Sequence, residues 1–357
     1  MIRTGSRGPT LAEAWDSGQN HFNLIRLLAA WLVIHGHAWA ITGSAGGDLV
    51  ATLTGIKFAG ALAVDVFFVI SGFLIAASLE RNSVRGYLIA RALRILPALA
   101  ACVGLSVLVL GPLLTTAPGY WRDPMTWDYL WVNASLWSSR YFLPGVFEAL
   151  PNPAVNGSLW TLPVEARLYL ALLGASLLGM LAPRRYVPAW MLAMGAACAF
   201  ALLRRPLPDH LANYAWCTAF FITGTLFWIL RDRVRLSAWP VLGLLVVAVA
   251  TRGTQAFVPA YFLLVCYGTL WLAFVPKLPR IRRHDLSYGL YLYGWPAAQV
   301  VQSLAPGDPW HNTLWSTLLA GTLAAASWFA IERPALRLKR RLLAPRSAAG
   351  QADSVAS

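Results

Sequence analysis

The sequence predicts an all-α, polytopic membrane protein with about ten transmembrane helices and with both termini in the cytoplasm. Of its 357 residues, 58% are hydrophobic and 12% are charged, whereas a soluble domain carries about 25% charged residues. Many apolar runs approach the roughly 20 residues that a helix needs to cross a bilayer. The 17 Trp residues often lie near the ends of these runs, as membrane-interface anchors do.

Ten spans account for the apolar runs. They cover residues 22–42, 56–79, 90–114, 158–181, 187–203, 211–230, 236–251, 256–275, 285–304 and 311–331. With a cytoplasmic N-terminus, most of the 29 Lys and Arg residues fall in the inner segments, in accord with the positive-inside rule. This distribution explains the net charge of +14 without nucleic acid, whose binding needs basic residues gathered on one face. We expect a multi-pass protein of the bacterial inner membrane.

The spans divide the chain into three parts. These are a cytoplasmic N-terminal segment (1–21), a transmembrane domain (22–334), and a cytoplasmic tail that is first basic and then disordered (335–357). Within the domain, residues 115–157 form a long outer segment. Its aromatic, amphipathic stretch 127–137 fits either a cover over a substrate site or a simple interfacial anchor.

The first span carries two ionisable side chains on one helix face. Arg26 and His37 are eleven residues apart, a spacing that places them about 16 Å apart along an α-helix. Ionisable groups inside a membrane helix are costly and by default indicate a functional site. His37 is therefore a candidate catalytic base. His35 points to another side of the helix, so it is either a supporting residue or a structural hydrogen-bonding group.

Two carboxylates are candidate partners for His37. Asp65 lies in an otherwise apolar stretch of the second span, and an antiparallel second helix would place it at about the depth of His37. Glu165 and Tyr169, one turn apart in the fourth span, are expected at a similar depth. A carboxylate at that depth can fix the tautomer of an imidazole, as in acyl-transfer triads. Ser71, near Asp65, is expected to be a helix-packing residue.

Arg91 and Arg94 are one helical turn apart at the cytoplasmic end of the third span. Two cations at this spacing can bind phosphates. Positive-inside anchoring explains them nearly as well. The four cysteines lie singly in apolar runs, so the sequence predicts no metal site and no disulfide.

Several segments carry a family resemblance when they are taken in order. They are Arg26-x10-His37, the string Val-Asp-Val-Phe-Phe-Val-Ile-Ser-Gly-Phe-Leu at 64–74, Arg-Ala-Leu-Arg-Ile-Leu-Pro at 91–97, Ser-Leu-Trp-Thr-Leu-Pro-Val-Glu at 158–165 with Tyr169, and Ile-Glu-Arg-Pro at 331–334. Together they resemble acyltransferase family 3, the integral-membrane O-acyltransferases. The string at 64–74 is the most specific part. One departure is Gly294, which stands where the family often has His in Tyr-x-x-His-Trp.

The resemblance implies transfer of an acyl group, often acetyl, from cytoplasmic acyl-CoA to a hydroxyl. The acceptor is expected to be a carbohydrate, such as a cell-surface glycan or a lipid-linked glycan. Acyl-CoA would be a co-substrate, and no permanently bound cofactor is expected. The sequence leaves the acceptor, the acyl chain and the oligomeric state open.

Roles for the polar residues follow from this resemblance. His37 would act as the base or would briefly carry the acyl group, and Asp65 or Glu165 would orient it. The coenzyme would be held by three cations, namely Arg26, Arg91 and Arg94. Supporting positions are His35, Ser71, Trp160 and Tyr169. The alternative is a transporter or flippase of a glycan or lipid precursor, with Arg26, Asp65 and Glu165 as a proton relay.

Overall fold

The computed structural model describes residues 8–181, 184–202, 209–281 and 284–343, and helices dominate this part of the chain. The helices are α1 (Leu11–Asp16), α2 (Phe22–Thr42), α3 (Leu49–Thr54), α4 (Ala59–Arg81), α5 (Val84–Leu105), α6 (Gly111–Leu114), α7 (Pro124–Ala134), α8 (Thr161–Leu177), α9 (Val187–Leu202), α10 (Asp209–Ile229), α11 (Ala238–Ala250), α12 (Phe257–Phe274), α13 (Ser287–Leu304), α14 (Pro309–Ser327) and α15 (Arg333–Leu342). Short π-helical turns, Ser106–Leu110 and Trp328–Glu332, extend α5 and α14. The all-α prediction is therefore confirmed for the described residues.

Every predicted span contains a helix, but length and composition single out five of them. In the described ranges, the helices long and apolar enough to cross a bilayer are Phe22–Thr42, Ala59–Arg81, Val84–Leu114, Phe257–Phe274 and Pro309–Lys339. The count of ten and the cytoplasmic termini stay predictions. Helix α13 shows why length and composition alone do not identify every helix that lies inside the bundle. Most of its side chains, including polar Tyr and Gln residues, are buried against other helices.

Close helix packing organises the bundle around α4. This helix packs against α10 and α2, and α13 packs against α2 and α14. A Cβ on Gly72 of α4 would lie 1.9 Å from the carbonyl oxygen of Phe221, and one on Gly224 of α10 would lie 2.2 Å from that of Val69. Only glycine fits at these positions, because helix backbones meet there directly.

The predicted terminal and outer segments are partly described. Helix α1 belongs to the N-terminal segment and buries Leu11 in the core, and α15 forms the basic start of the tail. Three parts of the predicted terminal segments and spans lie outside the described ranges. They are the start of the N-terminal segment (1–7), the last residue of the span 187–203, and residues 344–357 of the tail, which were predicted to be disordered. In the long segment 115–157, α7 packs against α5. The end of this segment enters the protein, where Val155 and Asn156 are fully buried.

Candidate functional site

His37 lies beside the point where α2 crosses α4. A Cβ on Gly36 would lie 2.3 Å from the backbone nitrogen of Gly60, so the two helix backbones touch. A Cβ on Gly60 would in turn lie 2.9 Å from Cε1 of His37. The imidazole therefore occupies the space that a side chain at position 60 would need. We call this part of the bundle the His37 end and the opposite part the Arg26 end.

A backbone carbonyl fixes the tautomer of His37. Its Nδ1 lies 2.8 Å from the oxygen of Val33, one turn earlier on α2. A carbonyl oxygen only accepts hydrogen bonds, so Nδ1 must carry the proton and Nε2 keeps its lone pair. The ring also packs against Phe58 and Trp295, with centroids 5.0 and 4.6 Å away. The imidazole is therefore held in an orientation suited to accepting a proton at Nε2.

A cavity of about 190 Å³ opens at His37. Its walls come from α2, α4, α10 and the segments that precede α4 and α8. The lining residues are His37, Lys57, Phe58, Gly60, Ala61, Val64, Asp65, Trp160, Asn213, Trp216 and Cys217. Trp160, a predicted supporting residue, stacks in parallel on Tyr214 with centroids 6.0 Å apart.

Asp65 lines this cavity, but its hydrogen bonds go to residues other than His37. Its Oδ2 accepts from the hydroxyl of Tyr261 at 2.8 Å and from Nε1 of Trp216 at 3.4 Å. The ammonium of Lys57 lies 3.3 Å from Oδ2 and 3.4 Å from Oδ1. The expectation that Asp65 orients the imidazole is wrong for this structure, since Val33 supplies the acceptor at Nδ1.

Glu165 lies in a second cavity, at the Arg26 end. It accepts hydrogen bonds from Ser71 at 2.8 Å and from the hydroxyl of Tyr169. Ser71 is eleven residues along α4 from Gly60, about 16 Å from the crossing, and Arg26 is about 15 Å from it along α2. Glu165 is thus at the depth of Arg26, and its predicted placement at the depth of His37 is wrong.

The second cavity is small, about 60 Å³. Its lining residues are Arg26, Val64, Phe67, Phe68, Ser71, Thr161, Leu162, Glu165, Ser287, Tyr288 and Tyr291. Val64 lines both cavities. Val64 is therefore the lining residue that the two cavities share.

The depth of Glu165 follows from where α8 begins. The preceding segment is fixed inside the bundle, because Trp295 donates to the carbonyl oxygen of Ala154 at 2.8 Å and Tyr291 to that of Ser158 at 2.7 Å. A Cβ on Gly157 would lie 2.5 Å from the ring of Trp295. Since Trp295 also packs on His37, α8 starts near the level of that histidine and carries Glu165 further in.

Two of the three predicted coenzyme-binding arginines form a partly buried ion network with Asp285. This carboxylate lies 3.2 Å from Nη1 of Arg26 and 2.6 Å from Nη2 of Arg94. Arg94 also lies 3.3 Å from Glu332. Ser287 donates its hydroxyl to Asp285 at 2.5 Å. The structure thus brings Arg26 and Arg94 together around carboxylates that the sequence analysis did not assign to them, and their binding of the coenzyme stays a prediction.

Arg91 does not share this network. Its Nε is buried without a hydrogen-bond partner, and within the described part of the chain no ion pair involves it. It lies close enough to Tyr87 and Tyr169 to interact electrostatically with their hydroxyls. Arg91 is therefore a cation beside Tyr169 that has a buried Nε without a hydrogen-bond partner.

His35 lies apart from both cavities, in an aromatic cluster. It stacks on Trp31 with centroids 5.3 Å apart and contacts Trp39 and Trp310 at 5.0 Å. Its Nδ1 is 3.4 Å from Oγ1 of Thr313. These contacts favour the interpretation of His35 as a structural hydrogen-bonding group over that of a supporting residue of the site.

Gly294, the departure from the family pattern, faces α2. A Cβ there would lie 2.7 Å from Cγ1 of Ile34. The space that a larger side chain would use is filled by the contact between α13 and α2.

Two residues of the site were missed by the sequence analysis. Lys57 lies at the start of the predicted span 56–79, and Asp285 lies at the start of the predicted span 285–304. In each case the available signal was a single charge next to an apolar run. Their importance follows only from the partners that the fold brings to them.

The fold and these two cavities define a multi-pass membrane protein with an ionisable site inside its helix bundle. A family model described as an acyltransferase domain matches residues 20–333. The chain belongs to this acyltransferase 3 family. It is accordingly an acyltransferase. This finding favours acyl transfer over the alternative of a transporter or flippase.

Two relatives extend this finding over nearly the whole chain. Nodulation protein 10 of Rhizobium leguminosarum bv. viciae is 32% identical, over 92% of this chain and 96% of the relative. The O-acetyl transferase of Shigella phage Sf6 is 26% identical, over 88% of this chain and 95% of the relative. No solved structure matches the chain.

Proposed function

We propose that this protein is an acyl-CoA-dependent O-acyltransferase of the bacterial inner membrane that transfers an acetyl group to a hydroxyl of a carbohydrate, such as a surface or lipid-linked glycan. Family membership and the name of the phage Sf6 relative support acyl transfer to oxygen. The observation that carries the mechanism is the hydrogen bond from Nδ1 of His37 to Val33. It leaves Nε2 available as a base on a ring that lines a cavity.

The reaction follows from the protonation state of His37. A sugar hydroxyl has a pKa far above 7, so it attacks a thioester slowly unless a base removes its proton as the new bond forms. Nε2 of His37 takes this proton while the hydroxyl oxygen adds to the acyl carbon. The resulting imidazolium then protonates the departing thiolate. The Val33 carbonyl supports the positive ring, a function that a carboxylate fulfils in Ser-His-Asp triads.

The Arg26 end is where we place the acyl donor. Arg26 and His37 are about 16 Å apart on α2, and an extended phosphopantetheine arm has a length of that order. The phosphates would lie near Arg91, whose buried Nε has no hydrogen-bond partner, with Arg26 and Arg94 nearby. The thioester would reach the His37 cavity past Val64, which lines both cavities.

Glu165 belongs to the donor end in this mechanism. It lies with Arg26 in the second cavity and accepts hydrogen bonds from Ser71 and Tyr169. A carboxylate held there can accept from an amide N–H of the pantetheine arm. It positions the donor and does not orient the imidazole.

The test uses the purified protein in nanodiscs, which leave both faces of the bilayer accessible. Acetyl-CoA is the donor, and the acceptor is a glycan extract from cells that lack the gene. Transfer is followed by thiol release and by mass spectrometry of the glycans. His37→Ala should abolish transfer without loss of folding, whereas His35→Phe should keep it. Full transfer by the His37→Ala variant would refute the proposal. Absence of transfer from acetyl-CoA by the wild-type protein would also refute it.

A further inference from the structure

Lys57 is a partly buried cation that the mechanism above does not use. It lies in the short segment between α3 and α4, and its side chain is 16% exposed. The hydroxyl of Thr54 donates to the carbonyl oxygen of Lys57 at 2.7 Å and accepts from its backbone nitrogen at 3.0 Å. Asp48, 2% exposed, accepts from the backbone nitrogens of Ala51 and Ala59. The segment that carries Lys57 is therefore fixed at both ends.

The ammonium of Lys57 is directed by Asp65 and Trp216. It lies 3.3 Å from Oδ2 of Asp65, whose carboxylate is almost completely buried, and 5.1 Å from the ring centroid of Trp216. An ammonium has three N–H donors. Within the described ranges, Asp65 is its hydrogen-bond acceptor, so at least one donor remains for a ligand in the His37 cavity.

The chemistry at His37 needs such a donor. When a hydroxyl adds to a thioester, the carbonyl electron pair moves onto the carbonyl oxygen, which becomes an oxyanion. Enzymes stabilise this charge with preorganised hydrogen-bond donors inside a site that excludes water. Lys57 lines the same cavity as His37, so the base and a cationic hydrogen-bond donor lie in one cavity.

We propose that Lys57 is a further catalytic residue that donates a hydrogen bond to the acyl oxygen, and that Asp65 positions it. This inference rests on the proposed acyl transfer. As the C–O bond forms, the hydroxyl proton goes to Nε2 of His37 and the negative charge collects on the oxygen beside Lys57. As the C–S bond breaks, that charge returns to the carbonyl and His37 protonates the thiolate.

A purely structural explanation for Lys57 is that it only neutralises the carboxylate of Asp65. A double variant distinguishes this explanation from the catalytic one. Lys57→Met alone leaves a buried carboxylate unpaired and destabilises the fold, whereas replacing both charges of a buried pair is often tolerated. Lys57→Met/Asp65→Asn keeps an amide that still accepts from Tyr261. A merely structural pair would therefore be restored in this variant, and an oxyanion donor would not.

The experiment measures kcat and KM for acetyl-CoA in nanodiscs, with glycan extract as acceptor. In the double variant we expect kcat to fall about 10²- to 10³-fold, as for loss of one oxyanion donor, with KM little changed. Lys57→Arg keeps the cation and should retain more activity than the double variant. As a matched control, the exposed pair Arg231–Glu80, 3.1 Å apart, is neutralised as Arg231→Met/Glu80→Gln and should leave kcat unchanged.

His37→Ala in the same assay separates this inference from the proposed function. If His37→Ala abolishes transfer while the folded Lys57→Met/Asp65→Asn variant keeps wild-type kcat, acyl transfer stands and the assignment of Lys57 is overturned. If His37→Ala also keeps wild-type transfer, both proposals are overturned. Loss of kcat in the double variant, with normal kcat in the Arg231→Met/Glu80→Gln control, supports Lys57.

Discussion

Gly60→Ala should inactivate the protein by moving His37. The new Cβ would lie 2.9 Å from Cε1 of His37, 3.0 Å from Nδ1, and 2.6 Å from a ring carbon of Phe58. Carbon atoms in ordinary contact are about 3.5–4.0 Å apart, so the imidazole must retreat by roughly 1 Å. That movement also stretches the hydrogen bond to Val33, now 2.8 Å.

The size of the effect follows from the displacement. A 1 Å misplacement of a reacting group costs on the order of 10²-fold in rate. Overpacking of this kind also costs about 1–3 kcal/mol of stability. We therefore expect Gly60→Ala to lower kcat about 10²-fold in the nanodisc assay with acetyl-CoA, while the protein stays folded.

Gly307→Ala is the matched control. A Cβ there would lie 2.4 Å from Nδ1 of His311, so it displaces a histidine ring that lies in neither cavity. Thermal unfolding should show a comparable loss of stability for both variants, and kcat should fall only for Gly60→Ala. A Gly60→Ala protein with wild-type kcat, or an equal loss of kcat in the Gly307→Ala control, would refute the reasoning.

Three further variants test other parts of the site. Asp285→Asn should lower the free energy of unfolding in SDS titration by about 2–4 kcal/mol, because Arg26 and Arg94 lose their shared carboxylate; an unchanged midpoint would contradict this. Glu165→Gln should raise KM for acetyl-CoA about tenfold, the value of one charged hydrogen bond, with a smaller change in kcat; a fall in kcat alone would assign it to the chemical step. His35→Phe should preserve kcat, since the ring keeps its aromatic contacts, and a large loss of kcat would place His35 in the site.

The local parts of the site were predictable from the sequence. The span 22–42 coincides with α2 (Phe22–Thr42), and the eleven-residue spacing of Arg26 and His37 needs only helix periodicity. The family resemblance rests on contiguous strings, and the family is confirmed. The roles assigned to individual residues stay predictions.

The partners of the charged residues were not predictable, because they depend on distant segments. Arg94 and Asp285 are 191 residues apart. Lys57 is near Asp65 in sequence, but its approach depends on how the segment after α3 folds back. The depth of Glu165 was wrong for a related reason: hydropathy locates a span but does not show that the preceding segment already enters the bundle.

The contact between Gly36 and Gly60 restricts how the length of α2 can change. Each residue added to an α-helix turns everything beyond it by about 100° and shifts it by 1.5 Å. Because the crossing fixes α2 one residue from His37, an insertion between Arg26 and Gly36 would leave the imidazole in place and swing Arg26 off the face that meets Asp285. An insertion in a surface loop would leave both Arg26 and His37 in place. The number of residues between Arg26 and Gly36 is therefore fixed by the fold, even though the hydropathy of α2 would allow one residue more or fewer.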